Sequence, residues 1–197
     1  MYLSLTVCDE ELYQKAREFF IQLWRSDLLS REKSALIWAY LVKQYLRNTG
    51  KSWYMFEEWQ YSYDGIFFST SHSEDLVMVA VDTKKIAVDI EYIRPRNESL
   101  LQNIHNIPNS PYGQWENFYL QRCAKESLVK YLDLKAEDMN EMTVFDFCHN
   151  HYFSVNERVF DSLVFIMYKE KEYVVHTALK DGRVMALMHE HNFEHEE

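Results

Sequence analysis

Two Asp-Gly pairs, Asp64-Gly65 and Asp181-Gly182, constrain the fold of this chain more than any other feature. Each pair lies between segments rich in β-branched and aromatic residues. Asp-Gly favours the tight two-residue turn of a β-hairpin. We therefore expect antiparallel strands on both sides of each pair, once in the first half of the chain and again near its end.

The rest of the chain alternates between helix-like and strand-like patterns. Apolar residues at the helical period predict three helices, over the segments 12–24, 30–46 and 115–132. Alternation and β-branched or aromatic content predict strands over the segments 3–7, 66–70, 76–81, 86–93, 144–148, 152–155, 162–168, 173–179 and 184–188. This mixture predicts an α+β fold.

The two parts of the chain, 1–85 and 86–197, have the same predicted order of elements: a strand, a helical region and then several strands. No repeat of the sequence itself accompanies this order. On the pattern alone, a single ordinary α+β domain is the simpler interpretation.

Composition excludes several classes of protein. The formal net charge of −10 is not that of a basic nucleic-acid-binding protein. No apolar run approaches 18 residues, so we expect no membrane-spanning segment. The three cysteines form no Cys-x-x-Cys pair, which argues against a disulfide framework or a structural zinc site. The acidic N-terminus does not resemble a signal peptide, and we expect a cytoplasmic protein.

The segment 86–91, Ile-Ala-Val-Asp-Ile-Glu, places two carboxylates on one face of a predicted strand. Alternate residues of a strand share a face, so Asp89 and Glu91 lie beside the small Ala87 and opposite three apolar residues. Two neighbouring carboxylates repel each other unless a cation or water separates them. An exposed strand face is the simpler interpretation of this segment alone, and a cation site is the functional one.

A second charged group falls on the predicted third helix. Arg122, Glu126 and Lys130 are spaced by four residues and form a stripe, which we expect opposite the core face of the helix. The structural interpretation is a solvated row of salt bridges. The functional interpretation is a third carboxylate, Glu126, flanked by cations that bind phosphate.

A third element, Ser71-His72-Ser73, follows the predicted strand 66–70. Hydroxyl and imidazole groups at the end of a strand can donate hydrogen bonds to a phosphate. By itself, this tripeptide is explained more simply as part of a turn.

Together, the three elements resemble the signature of the 4'-phosphopantetheinyl transferase superfamily, in its larger, surfactin-synthetase-activating type. That signature is an Ile/Thr-Ser-His-Ser element, then a strand with Asp-x-Glu, then a helix with Lys-Glu-Ser/Ala and a lysine four residues after the glutamate. Here the order is Thr70 to Ser73, Asp89-Ile90-Glu91, and Lys125-Glu126-Ser127 with Lys130. The resemblance covers residues 67–134.

The resemblance implies a monomer of two similar α+β halves, related by a pseudo-twofold axis, with coenzyme A in the cleft between them. It implies transfer of phosphopantetheine from coenzyme A to a serine of an apo acyl or peptidyl carrier protein. It further implies that Asp89, Glu91 and Glu126 bind Mg²⁺, that Glu126 is the general base, and that Lys130 assists catalysis. Phosphate contacts are implied for Ser71, His72, Lys125 and Lys130, with Arg31 and Lys33 as further candidates.

The chain departs from the family pattern at four places. Ala87 replaces a glycine, and Arg122 replaces a tryptophan or phenylalanine. A Gly-Lys-Pro element is missing, with the segment 57–65 in its place, and the second predicted helix lacks an evident arginine. These departures raise the alternative of a non-catalytic module that binds coenzyme A or a carrier protein. A metal-dependent phosphodiesterase or nuclease is a further alternative, because Asp-x-Glu with a distant Glu also suits two-metal hydrolysis.

Overall fold

The computed structural model describes residues 1–22, 32–51, 62–63, 65–104 and 110–190. Within these ranges the protein is a mixed α+β structure with two antiparallel sheets and three α-helices, as the sequence predicts. None of the helices in this described part combines the length and apolarity needed to cross a membrane.

The N-terminal sheet has the strand order β1-β4-β3-β2. Its strands are β1 (Tyr2–Val7), β2 (Ser62–Tyr63), β3 (Ile66–Ser73) and β4 (Leu76–Asp82). Helix α2 (Lys33–Asn48) packs against β3 and β4 on one face of this sheet, and helix α1 (Glu10–Gln22) packs against α2 and joins the same core. Phe20 and Ile37 from the helices meet Phe68 and Val79 from the strands in a dry core, which holds this layer together.

The C-terminal sheet has the strand order β5-β9-β8-β7-β6. Its strands are β5 (Ile86–Tyr92), β6 (Thr143–Val155), β7 (Arg158–Tyr168), β8 (Lys171–Lys180) and β9 (Arg183–His189). Helix α3 (Gln114–Leu132) packs across β5, β9 and β8. Two 3-10 helices, Glu98–Asn103 and Ala136–Glu141, flank α3 in segments for which the sequence patterns predict no helix or strand.

A further apolar core lies where the two sheets meet. Met78 and Ala80 of β4 pack in one cluster with Val88 and Ile90 of β5, and all four are at most 1% exposed. Strand β5 is therefore covered on both faces, by the N-terminal sheet on one side and by α3 on the other. This double coverage explains why its backbone and carboxylates lie in a confined space.

The backbone at the turns agrees with the Asp-Gly prediction. Asp181 and Gly182 both have positive φ angles, 52° and 69°, as the two-residue turn between β8 and β9 requires. Gly65 also has a positive φ, 71°, between β2 and β3; Asp64 lies outside the described residues. The two strands predicted over 144–155 are one irregular strand, β6, whose register shifts between His149 and Phe153.

Candidate active site

Strand β5 presents its two sets of alternating residues to different surroundings. Ile86, Val88 and Ile90 point into the core between the sheets, as predicted. Ala87 packs in the core beneath α3, and Asp89 and Glu91 follow it on that face. Asp89 is only 2% exposed, so the expectation of a solvated strand face does not hold for this carboxylate.

Helix α3 brings the second set of charged groups to the same place. The sequence pattern predicts a core face made of Leu120, Cys123, Ala124, Ser127, Leu128 and Tyr131. The first five are fully buried, and Tyr131 is partly buried against the same core. The expected opposite stripe is wrong: the side chains of Arg122, Glu126 and Lys130 are only 38%, 23% and 31% exposed, and two of them contact the β5 carboxylates directly. The stripe borders the core face because β5 runs beside α3, and long side chains reach across to it.

Lys130 joins the two sheets and α3 through one ammonium group. Its Nζ lies 2.7 Å from Asp89 Oδ1, 3.0 Å from the Val88 carbonyl oxygen and 3.4 Å from the Thr70 carbonyl oxygen. An ammonium group has three hydrogens, and these three acceptors can take all of them. The nearly buried carboxylate of Asp89 is thereby paired with a positive charge.

Arg122 links the other two carboxylates. Its Nη2 lies 2.7 Å from Glu126 Oε1, one helical turn away, and its Nε lies 3.7 Å from Glu91 Oε1. Glu91 and Glu126 therefore share a single guanidinium group. In this arrangement, each of the three carboxylates is already paired with a positively charged side chain of the protein.

The site perturbs the acidity of the groups within it. Burial raises the pKa of Glu126; the negative charge of Asp89 adds to this effect, while Arg122 and Lys130 oppose it. Burial and the adjacent Asp89 carboxylate raise the pKa of the Cys123 thiol well above its usual value, so this cysteine stays neutral. Burial lowers the pKa of Lys125.

The chemistry of the donor atoms fits a hard divalent cation. Asp89, Glu91 and Glu126 supply carboxylate oxygens, which Mg²⁺ prefers. Asp89 Oδ2 is buried without a nitrogen or oxygen hydrogen-bond partner in the described part of the chain, and the Cys123 thiol is a further hydrogen-bonding neighbour of this carboxylate. As the side chains stand, however, no group of three among the described residues is set closely enough to hold a metal, because Arg122 and Lys130 engage them.

The serines of β3 contact the same carboxylates from the other sheet. Ser71 Oγ donates a hydrogen bond to Asp89 Oδ1 at 2.8 Å, and Ser73 Oγ donates one to Glu91 Oε2 at 3.1 Å. Sequence reasoning singled out the tripeptide but not these partners. The one available signal was the alternation of serine at positions 69, 71 and 73, which predicts a shared face.

The remaining predicted residues lie around this centre in different settings. Lys125 lines a pocket of about 190 Å³ together with Arg122 and the apolar side chains of Leu100, Ile104, Phe118 and Met139. His72 is exposed, and alternation along β3 places it on the opposite face from Ser71. Lys33 pairs with Glu10 of α1 at 3.3 Å, and Arg31 lies outside the described residues.

Comparisons of the chain with models of protein families and with curated protein sequences give no match.

Proposed function

We propose that this protein is a 4'-phosphopantetheinyl transferase. The observation that carries the proposal is the meeting of Asp89 and Glu91 of β5 with Glu126 and Lys130 of α3. These elements are separated in sequence, and the residues that meet are those on which the family resemblance rests. Lys125 adds a further positive group at the adjacent pocket.

The proposed reaction joins the hydroxyl of a carrier-protein serine to coenzyme A. The serine Oγ forms a bond to the phosphorus that bears the pantetheine arm, while the bond from that phosphorus to the oxygen of 3',5'-ADP breaks. The serine proton passes to Glu126, whose partly buried carboxylate has a raised pKa and so accepts a proton more readily. Lys125 and Lys130 stabilise negative charge on the phosphates as the ADP departs.

Asp89, Glu91 and Glu126 are the residues that would hold Mg²⁺ in this proposal. The ion would neutralise the pyrophosphate of coenzyme A and favour departure of the ADP. Binding would require that Arg122 release Glu126 Oε1, from which its Nη2 lies 2.7 Å, and give up its longer ion pair with Glu91, at 3.7 Å. His72, Arg31 and Lys33 remain candidates for phosphate contacts.

The proposal extends to the architecture. We propose that 1–85 and 86–197 are related halves, with the cofactor cleft between them, and that the protein is a cytoplasmic monomer. Two features support related halves: each part begins with a strand and a helical region, and each forms one antiparallel sheet with at least one α-helix packed on one face.

The test is to incubate the protein with an apo carrier protein, coenzyme A and Mg²⁺, and to weigh the carrier by intact mass spectrometry. Transfer adds about 340 Da, the mass of the phosphopantetheine arm. Omission of Mg²⁺ and the substitution Asp89→Asn should each abolish the gain. If several acyl and peptidyl carriers gain no mass while the protein is folded and binds coenzyme A, the transferase proposal fails.

The ion pairs of Arg122 support one alternative, a module that binds coenzyme A or a carrier without transfer. A guanidinium group that forms ion pairs with both Glu91 and Glu126 makes a metal unnecessary for holding these carboxylates together. The segment 57–65, where the Gly-Lys-Pro element is missing, lies largely outside the described residues. Coenzyme A binding that is unaffected by both Asp89→Ala and Glu126→Ala would favour this module.

A further inference from the structure

Three serines of β3 make a regular series of contacts with β5. Ser69, Ser71 and Ser73 accept hydrogen bonds from the backbone N–H groups of Val88, Ile90 and Tyr92, at 2.9, 3.2 and 3.1 Å. Each pair is separated by 19 residues, so the two strands run side by side in the same direction. Serine hydroxyls thus take the place of the carbonyl groups that would pair these strands in a sheet.

Only two of these hydroxyls also donate to a carboxylate. Ser71 donates to Asp89 and Ser73 to Glu91, whereas the residue at the corresponding position for Ser69 is Ala87. A hydroxyl has one hydrogen and two lone pairs, so Ser71 and Ser73 can accept from the backbone and donate to a carboxylate at once. The first contact joins the strands, and the second fixes the direction of an acidic side chain.

We infer that Ser71 and Ser73 are positioning residues that orient Asp89 and Glu91 for cation binding. The inference rests on the proposed function, in which these carboxylates hold Mg²⁺. Ser71 and Lys130 both bind Oδ1 of Asp89, whereas the buried Oδ2 has no nitrogen or oxygen partner among the described residues. While its one hydrogen is on Asp89, Ser71 cannot donate to a phosphate of coenzyme A, so this role differs from the one the sequence resemblance implies.

The test is the affinity of the full-length protein for Mg²⁺, measured by titration calorimetry without coenzyme A or carrier. Ser71→Ala should weaken binding about tenfold, because groups that orient metal ligands typically contribute this much. Ser71→Thr keeps the hydroxyl and should restore the affinity. Ser69→Ala is the matched control: it removes the same kind of backbone contact without touching a carboxylate, and it should leave the affinity nearly unchanged.

Two results would overturn the inference. One is an unchanged Mg²⁺ affinity in Ser71→Ala. The other is an equal loss of affinity in Ser69→Ala and Ser71→Ala, which would mean that the serines act only by joining the strands.

A wild-type protein that binds no Mg²⁺ would refute both the metal in the proposed function and the cation-binding part of this inference. Whether Ser71 orients Asp89 at all is then decided by a double-mutant cycle. The effects of Ser71→Ala and Asp89→Ala on the equilibrium constant of urea unfolding should be coupled by about tenfold. Each single substitution already removes the hydrogen bond between the two side chains, so the double variant loses nothing further from it. The effects of Ser69→Ala and Asp89→Ala on the free energy of unfolding should be additive. Additivity in the Ser71 cycle would reject the role. If Asp89→Ala does not fold, Asp89→Asn replaces it.

Discussion

At the scale of single residues, Arg122 contributes to this site by pairing with carboxylates on two different elements. Both side chains belong to α3, one turn apart, yet Arg122 also reaches Glu91 on β5. The carboxylate of Glu126 is therefore held against the strand rather than in solvent. Its raised pKa and its neighbours suit a group that exchanges protons.

Replacement of Glu126 by Gln should lower the rate of carrier labelling by at least 100-fold, because the amide cannot accept the serine proton. The rate is measured by intact mass spectrometry at saturating coenzyme A and Mg²⁺. Glu18→Gln, the same change at an exposed position of α1, serves as the control and should retain the wild-type rate. A Glu126→Gln rate within threefold of wild type, as an order-of-magnitude limit, would exclude Glu126 as the base.

Replacement of Arg122 by Gln should increase the affinity for Mg²⁺ about fivefold, or ~1 kcal/mol. The physical reason is competition: the guanidinium group now neutralises the same carboxylates that an ion would bind. Titration calorimetry measures the change. Arg94→Gln, which removes an exposed ion pair with Glu74, is the control. Weaker binding in Arg122→Gln would mean that Arg122 supports the ion rather than competes with it.

At the scale of elements, the site depends on the packing interface between β5 and α3. The sequence predicted both elements and the apolar face of each, because burial leaves a clear periodic pattern. Two lysines form ion pairs across this interface: Lys130 with Asp89 in the interior, and Lys85 with Asp133 at the end of α3. The periodic pattern does not predict which charged side chains form such pairs, because long side chains can extend in several directions.

The two lysines should differ in their effect on stability. Lys130→Met should reduce the free energy of unfolding by about 2–3 kcal/mol, since it leaves the Asp89 carboxylate buried without its cation. Lys85→Met breaks an exposed pair and should cost at most ~0.5 kcal/mol. Urea unfolding followed by circular dichroism measures both. Equal losses would show that the interior ion pair contributes no more to the free energy of unfolding than the exposed one.

For the whole molecule, the decisive feature is that the two sheets share a core. Met78 of β4 is fully buried against β5, while α1 and α2 cover the other face of the N-terminal sheet. The ladder of serine contacts and the Lys130 bridge join the same two sheets. Neither sheet can separate from the other without exposing β5 and its carboxylates to water.

Unfolding of the whole chain should therefore be a single cooperative transition, with coincident curves by tryptophan fluorescence and far-UV circular dichroism. Met78→Ala should shift both curves equally, by about 2–4 kcal/mol in the free energy of unfolding. Val159→Ala, at an exposed position of β7, is the control and should have little effect. Two separate transitions would contradict a shared core.

The sequence by itself determined the class of elements, the two faces of β5, the core face of α3 and the turn at Asp181-Gly182. These features follow from local rules, since burial produces a period and an Asp-Gly turn needs positive φ angles. Only the tertiary structure decided that Asp89 is buried, that Arg122 joins Glu91 to Glu126, and that Ser71 and Ser73 bind the carboxylates of another sheet. Such contacts depend on how two sheets and a helix are placed in space, which no local pattern specifies.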